Sequence, residues 1–260
     1  MSRLPYTMSE IERENLTRLA VNYNDVQALP AIWAIAAQQF GDIVALHDPH
    51  SEPEVKITYA QLYDQMHQFA AGLQALGIEP GEAEDLPPRI SLFADNSPRW
   101  FIADQGIMTA GAANAVRSSQ AEREELLYIL EHSGSIGLVV EDVETLNKLL
   151  ERLSSAMLRF VILLSDETPA IKTDLKLLNF SQVMELGTKQ PLQPVRQTLD
   201  TLATLIYTSG TTGKPKGVML THGNLMHQVT TLGTVVQPEP GDRVLSILPT
   251  WHSYERSVEY

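Results

Sequence analysis

From residue 29 onward the apolar positions fall into short strand-like runs that alternate with helical stripes. Residues 29–40 predict a helix, with Pro30 at its start and Gly41 just past its end. Short strands are expected at 44–46 and 56–58, around the turn-rich Asp48-Pro-His-Ser-Glu-Pro53. Leu62, Met66, Phe69, Ala70, Leu73 and Leu76 keep helical spacing and read as core packing, and Gly77 stops that helix. An acidic, proline-rich loop at 79–88 leads to a buried-strand pattern at 90–94. Asn96-Ser97-Pro98 then reads as a helix start, a capping side chain followed by proline in the first turn. That helix runs to about Ala110 and Gly111. A strand at 113–116, a helix capped by Ser119 and running through Glu131, a strand at 136–140, a helix at 143–153 and a strand at 160–164 follow. Residues 166–197 are poorer in pattern and read as a long connection into a strand at 202–207. Such alternation predicts an α/β fold, a mostly parallel sheet flanked by helices. Residues 1–28 read as a polar lead-in and 29–260 as the folded part.

Composition narrows the chemistry. The hydrophobic fraction of 43% is ordinary for a globular protein. A formal net charge of -13 argues against nucleic-acid binding, which asks for a basic stripe. The absence of cysteine excludes disulfides, thiolate catalysis and cysteine-held zinc. The N-terminal stretch has no apolar core of a secretory signal. No segment approaches the roughly 20 apolar residues of a membrane span. The longest apolar run, Phe160-Val-Ile-Leu-Leu164, has the length of a buried strand. A cytoplasmic location is expected, with room for peripheral membrane contact.

The densest chemistry lies in Leu205-Ile-Tyr-Thr-Ser-Gly-Thr-Thr-Gly-Lys-Pro-Lys-Gly217. Thr208, Ser209, Thr211 and Thr212 supply hydroxyls, Lys214 and Lys216 supply charge, and Gly210, Gly213 and Gly217 let the backbone turn and approach a ligand. A nest of donors of this kind suits an anion, with polyphosphate the natural candidate. A flexible linker of the same composition is the plainer alternative, but strand-like runs flank this loop on both sides. A Walker-type loop is disfavoured: Gly210 and Gly213 are too close, and Pro215 stands where that motif needs Ser or Thr. Val218-Met-Leu220 reads as another short strand, with Thr221 capping a later helix.

The stretch from Tyr207 to His222 resembles the signature loop of the adenylate-forming enzymes, which include acyl-CoA synthetases, luciferases and peptide-synthetase adenylation domains. Ile57-Thr-Tyr-Ala-Gln-Leu62, Asp95-Asn-Ser-Pro-Arg-Trp100 and Glu124-Glu-Leu-Leu-Tyr-Ile-Leu-Glu-His-Ser133 extend the resemblance to roughly residues 30–260. Ala113-Asn-Ala-Val-Arg-Ser118 departs from the usual pattern. Together with Phe93-Ala-Asp-Asn-Ser97, it is similar to the plant-plastid and cyanobacterial acyl-[acyl-carrier-protein] synthetases, relatives of the long-chain acyl-CoA synthetases. The resemblance implies the first half of the large N-terminal domain of such an enzyme. It implies ATP binding by Thr208, Ser209, Gly210, Thr211, Thr212, Gly213 and Lys214, with Thr208 also helping to hold Mg2+. The implied reaction joins a long-chain fatty acid to AMP and then transfers the acyl group to the phosphopantetheine thiol of acyl carrier protein or coenzyme A.

A second segment, Leu248-Pro-Thr-Trp-His-Ser-Tyr-Glu-Arg256, follows an expected strand at 243–248. Proline breaks that strand and leaves Trp251 and His252 on a loop at its carboxyl end, where open α/β sheets bind ligands. The resemblance gives His252 the catalytic place beside the substrate carboxylate and lets Trp251 and Tyr254 wall the acyl tunnel. The plainer alternative is a loop histidine bonded to backbone, with aromatics that merely pack. Arg256 and Glu259 fit either a weak helical pair or support for the tunnel mouth. Arg117 reads as a surface or salt-bridge arginine. Family members carry further nucleotide-binding segments and a mobile C-terminal domain, so a truncated chain without ligase activity of its own is expected. A non-catalytic nucleotide-binding fragment, or one half of a split enzyme, is the alternative.

Overall fold

The structure, a computed structural model, describes residues 23, 25–79, 86–208, 214–236 and 241–260. Most of the expected lead-in lies outside the described residues.

Helix α1 (Ala31–Phe40) leads to an antiparallel pair, β1 (Val44–Asp48) and β2 (Val55–Thr58). The main sheet has seven strands: β3 (Arg89–Phe93), β4 (Ala113–Arg117), β5 (Gly137–Val140), β6 (Phe160–Leu163), β7 (Leu177–Asn179), β8 (Leu202–Thr208) and β9 (Lys216–Thr221). Their spatial order is β7-β6-β5-β3-β4-β8-β9. Every neighbouring pair is parallel except β8 and β9, which form an antiparallel hairpin. The connecting helices are α2 (Tyr59–Ala75), α3 (Pro98–Thr109), α4 (Arg123–Ser133), α5 (Val143–Leu149), α6 (Phe180–Thr188), α7 (His222–Val235) and α8 (Ser253–Glu259).

Strand side chains alternate between two apolar cores, as a sheet covered on both faces requires. Ile90, Leu92, Val116, Val139, Phe160, Ile162, Ala203 and Ile206 face a core built with α1, α2, α3, α6 and α7. Phe93, Ala115, Leu138, Val140, Val161, Leu163, Leu205 and Tyr207 face the opposite core with α4 and α5. The helix starts follow local chemistry. Thr58 and Gln61 form a capping box on α2, Ser97 Oγ accepts the Trp100 N–H at 3.0 Å on α3, and Thr221 with Asn224 caps α7.

Four expectations need correction. Ser119 does not cap α4; its hydroxyl donates to Asp95 Oδ2 at 2.7 Å, and the helix begins four residues later without a side-chain cap. The helix at 143–153 ends at Leu149 and tightens into one 3₁₀ turn at Leu150–Arg152. The supposed connection at 166–197 contains β7 and α6, the latter started by an Asn179–Gln182 capping box. The expected strand at 243–248 does not form: among the described residues Val244, Leu245 and Ile247 pair with no other strand and stand exposed.

Candidate active site

Because β3, β4 and β8 are parallel, their carboxyl ends share one edge of the sheet. The β4–β8 register aligns Val116 with Ile206, which sets Arg117 and Ser118 beside Tyr207 and Thr208. The edge is also a switch point, since chain leaves β3 toward β4 and β5 toward β6 on opposite sides. Ligands bind at such edges of open α/β sheets.

Of the phosphate-loop candidates, Thr208 and Lys214 are described, and Thr208 lies on this edge. Thr208, the last residue of β8, pairs with Lys216 across the β8–β9 hairpin. Thr208 is exposed at the last position of β8, and Lys214 is exposed with Nζ 5.4 Å from the Tyr128 ring centre. Ser209, Gly210, Thr211, Thr212 and Gly213 lie outside the described residues. Tyr207 Oη meets His132 Nδ1 at 3.0 Å, and burial, with Tyr128 nearby, pushes the Tyr207 phenol up to about 12. A β-carbon on Gly217 would stand 3.0 Å from the Tyr207 ring. Its φ is not positive, so the glycine is required here for room and not for a turn.

The second segment reaches the same edge without the expected strand. Asn96, just past β3, grips it four ways. Its Nδ2 donates to Leu248 O (2.7 Å) and Ser246 Oγ (3.0 Å), and its Oδ1 accepts from Thr250 N (3.0 Å) and Thr250 Oγ1 (3.2 Å). Trp251 is half-buried, and the Arg117 guanidinium lies 4.6 Å from its ring centre. Arg117 also pairs with Glu125 at 2.9 Å, which agrees with a salt-bridge role. His252 is exposed and is the N-cap of α8, its Nδ1 accepting the Tyr254 N–H at 3.3 Å. In the neutral ring that bond leaves the proton on Nε2, pointing a donor away from the helix. The backbone-bonded histidine and a free catalytic nitrogen are therefore compatible. Tyr254 is largely exposed.

Beneath this loop lies a buried polar network that sequence reasoning missed. Arg256 and Asp104 are both fully buried and pair at 2.5 Å. Arg256 also donates to Thr204 Oγ1 (2.7 Å), Asn114 Oδ1 (3.3 Å) and Tyr260 Oη (2.8 Å), while Tyr260 donates to Asp104 Oδ2 at 2.6 Å. Gln105 Nε2 and Asn114 Nδ2 complete the carboxylate's shell at 2.9 and 2.8 Å. Burial opposes the Arg256 charge, yet Asp104 and the hydrogen bonds hold its pKa above the ordinary arginine value. The helical Arg256–Glu259 pair gives way to this contact. The readable signal was Asp104-Gln105 in the middle of an otherwise apolar helix. Glu255 Oε1 accepts the Ile247 N–H at 3.1 Å, and Ser246 Oγ donates to Glu259. The helix that begins at His252 is thus bolted to the centre of the sheet.

Among the described residues, no group of three or more His, Cys, Asp or Glu side chains is placed to hold a metal ion. No helix among them is long and apolar enough to cross a membrane.

A mostly parallel, two-faced α/β sheet with a Thr/Gly/Lys hairpin on its carboxyl edge marks the nucleotide-handling class of such folds. The chain belongs to the AMP-binding enzyme family, whose profile matches residues 33–260. It is similar to the chloroplastic long-chain-fatty-acid--[acyl-carrier-protein] ligase AEE15 of Arabidopsis thaliana, 42% identical over 93% of this chain and 34% of that protein. The probable acyl-activating enzyme 16 of the same plant, also chloroplastic, is 41% identical over 96% of this chain and 36% of its own length. Among solved structures, Mycobacterium smegmatis MbtA aligns with TM-score 0.74 and 25% identity over 96% of this chain and 44% of its own. A long-chain-fatty-acid CoA ligase structure from Rhodopseudomonas palustris gives TM-score 0.74 at 17% identity, over 89% and 54% of the two chains, a likeness of fold. The chain spans about a third of the length of the curated relatives it matches.

Proposed function

We propose that this chain forms the triphosphate- and carboxylate-binding part of a ligase. That ligase activates a long-chain fatty acid with ATP and passes the acyl group to a phosphopantetheine thiol. The observation that carries the reading is the shared edge: Thr208 and Lys214 frame the hairpin loop on β8, and Arg117 of adjacent β4 touches Trp251 of the segment holding His252.

The fatty carboxylate attacks the α-phosphorus of ATP, and pyrophosphate leaves as the new P–O bond forms. The thiol of acyl carrier protein or coenzyme A then attacks the acyl carbon and expels AMP. Thr208, Ser209, Thr211, Thr212 and the amides of Gly210 and Gly213 bind the departing pyrophosphate, whose charge grows as its bond breaks, and Lys214 neutralises it. His252 Nε2–H orients the attacking carboxylate, while Trp251 and Tyr254 wall the acyl chain. The Thr208 hydroxyl would help hold Mg2+, which would supply positive charge to the phosphates.

Fatty-acid-dependent ATP–pyrophosphate exchange tests this, measured in a polypeptide with the length of the relatives. Lys214→Ala with Thr211→Ala should lower exchange by at least about 10²–10³, the scale of a lost preorganised donor, while the melting temperature stays put. Unchanged exchange in that double variant refutes the loop assignment. A second reading, a nucleotide-binding part of a split enzyme, draws support from the exposed apolar row Val244, Leu245 and Ile247 (73%, 79% and 73%). It predicts ATP binding by this chain and exchange only after a second polypeptide is added.

A further inference from the structure

The departure from the usual family pattern at Ala113-Asn-Ala-Val-Arg-Ser118 takes on a role once its contacts are known. We propose that Arg117 is a positioning residue that sets the orientation of Trp251 and so tunes acyl-chain selectivity. The selectivity half of this proposal rests on the fatty-acid reading above.

Arg117 is the last residue of β4 and points to the α4 face, as its neighbour at i−2, Ala115, does. There Glu125 in the first turn of α4 takes its Nη2 at 2.9 Å, and the arginine side chain is 19% exposed. Trp251 arrives from the other direction, packed against the core on the opposite face. The guanidinium therefore reaches over the top of the sheet to lie on the indole, 4.6 Å from its centre. A guanidinium over an indole is held by cation–π attraction, and its planar fork leaves donors for a second partner, as a lysine ammonium does not. Glu125 holds one side of the guanidinium while the indole lies against it, so the charge has a partner in each direction.

Asn96 divides the labour with Arg117. It binds the backbone of the same turn at Thr250 and Leu248. Removing the Arg117 plane should therefore free the Trp251 side chain without releasing the turn. The ring nearest the proposed acyl site would then sample several rotamers, and the wall it provides would lose its shape.

Tryptophan emission reads this directly on the present chain. Trp33 and Trp100 are 6% and 0% exposed, so Trp251 is the one of three tryptophans open to acrylamide. Arg117→Ala should raise the quenching constant about two- to fivefold, the population shift a single stacking contact commands. Arg117→Lys, which keeps the charge and the fold, should give an intermediate rise, and Glu125→Gln a smaller one. Equal quenching in wild type and both Arg117 variants, with circular dichroism unchanged, overturns the contact. In the exchange assay Arg117→Ala should raise the fatty-acid KM about fivefold and flatten the chain-length preference, with kcat moving less than about twofold. Raised quenching with an unchanged KM and an unchanged length preference overturns the selectivity role. Raised quenching where wild type shows no fatty-acid-dependent exchange sinks the acyl reading, and the selectivity role with it, but leaves the Arg117–Trp251 contact standing.

Discussion

His222 and Glu259 hold opposite protonation preferences inside one fold. Burial pushes His222 from 6.5 down to about 4, and its Nδ1 accepts the Leu29 N–H at 3.3 Å. Between those pH values the unfolded chain binds more protons than the folded one, so this group adds stability as pH rises, about 3 kcal/mol in total. Burial lifts Glu259 from 4.5 to about 7. Here the folded chain holds the extra proton, so stability falls as pH rises through that window. The two slopes oppose each other, and the wild-type melting profile should be flatter than either variant's. His222→Asn, which keeps an acceptor for Leu29, should melt lower as pH goes from 5 to 7. Glu259→Gln should melt higher over the same range. A His222→Asn profile parallel to wild type would contradict the buried neutral ring. Arg256 supplies a third residue-scale test. Arg256→Met leaves Asp104 charged in a dry site, which typically costs about 3–5 kcal/mol. Urea unfolding should show a matching fall in midpoint with little change in slope.

At the scale of elements, α2 and α6 cross where glycines let backbones touch. A β-carbon on Gly72 would stand 2.4 Å from Val183 O, and one on Gly187 would stand 1.9 Å from Gln68 O. Gly187→Ala should therefore cost about 1–3 kcal/mol through forced separation of the helices, seen as a melting temperature several degrees lower. An unchanged melting temperature would mean that the crossing relaxes without cost. Helix α6 was invisible to periodicity because it is short and follows a stretch without a clear pattern, although Asn179 and Gln182 spelled its start. The opposite error came at 243–248. Val244, Leu245 and Ile247 carry the composition of a strand, but composition does not supply a hydrogen-bonding neighbour. Long elements with paired apolar faces, such as α2 and β3, were legible almost to the residue, since periodicity reports burial directly.

For the whole molecule, the alternation of strand and helix patterns already implied a mostly parallel sheet flanked by helices. The hairpin loop and His252 were legible as motifs because their residue types are unusual in dense combination. Their supports were not. Asn96, Asp104 and Asn114 meet Thr250 and Arg256 across separations of 154, 152 and 142 positions, through contacts that only the folded chain creates. The account holds that the glycine- and threonine-rich hairpin on this edge takes the triphosphate of ATP. Amide hydrogen exchange of the chain with and without ATP and Mg2+ tests that most directly. Protection should concentrate at residues 205–217 and, more weakly, at 249–256. Protection confined to other parts of the sheet, with 205–217 exchanging as it does without nucleotide, would contradict the claim.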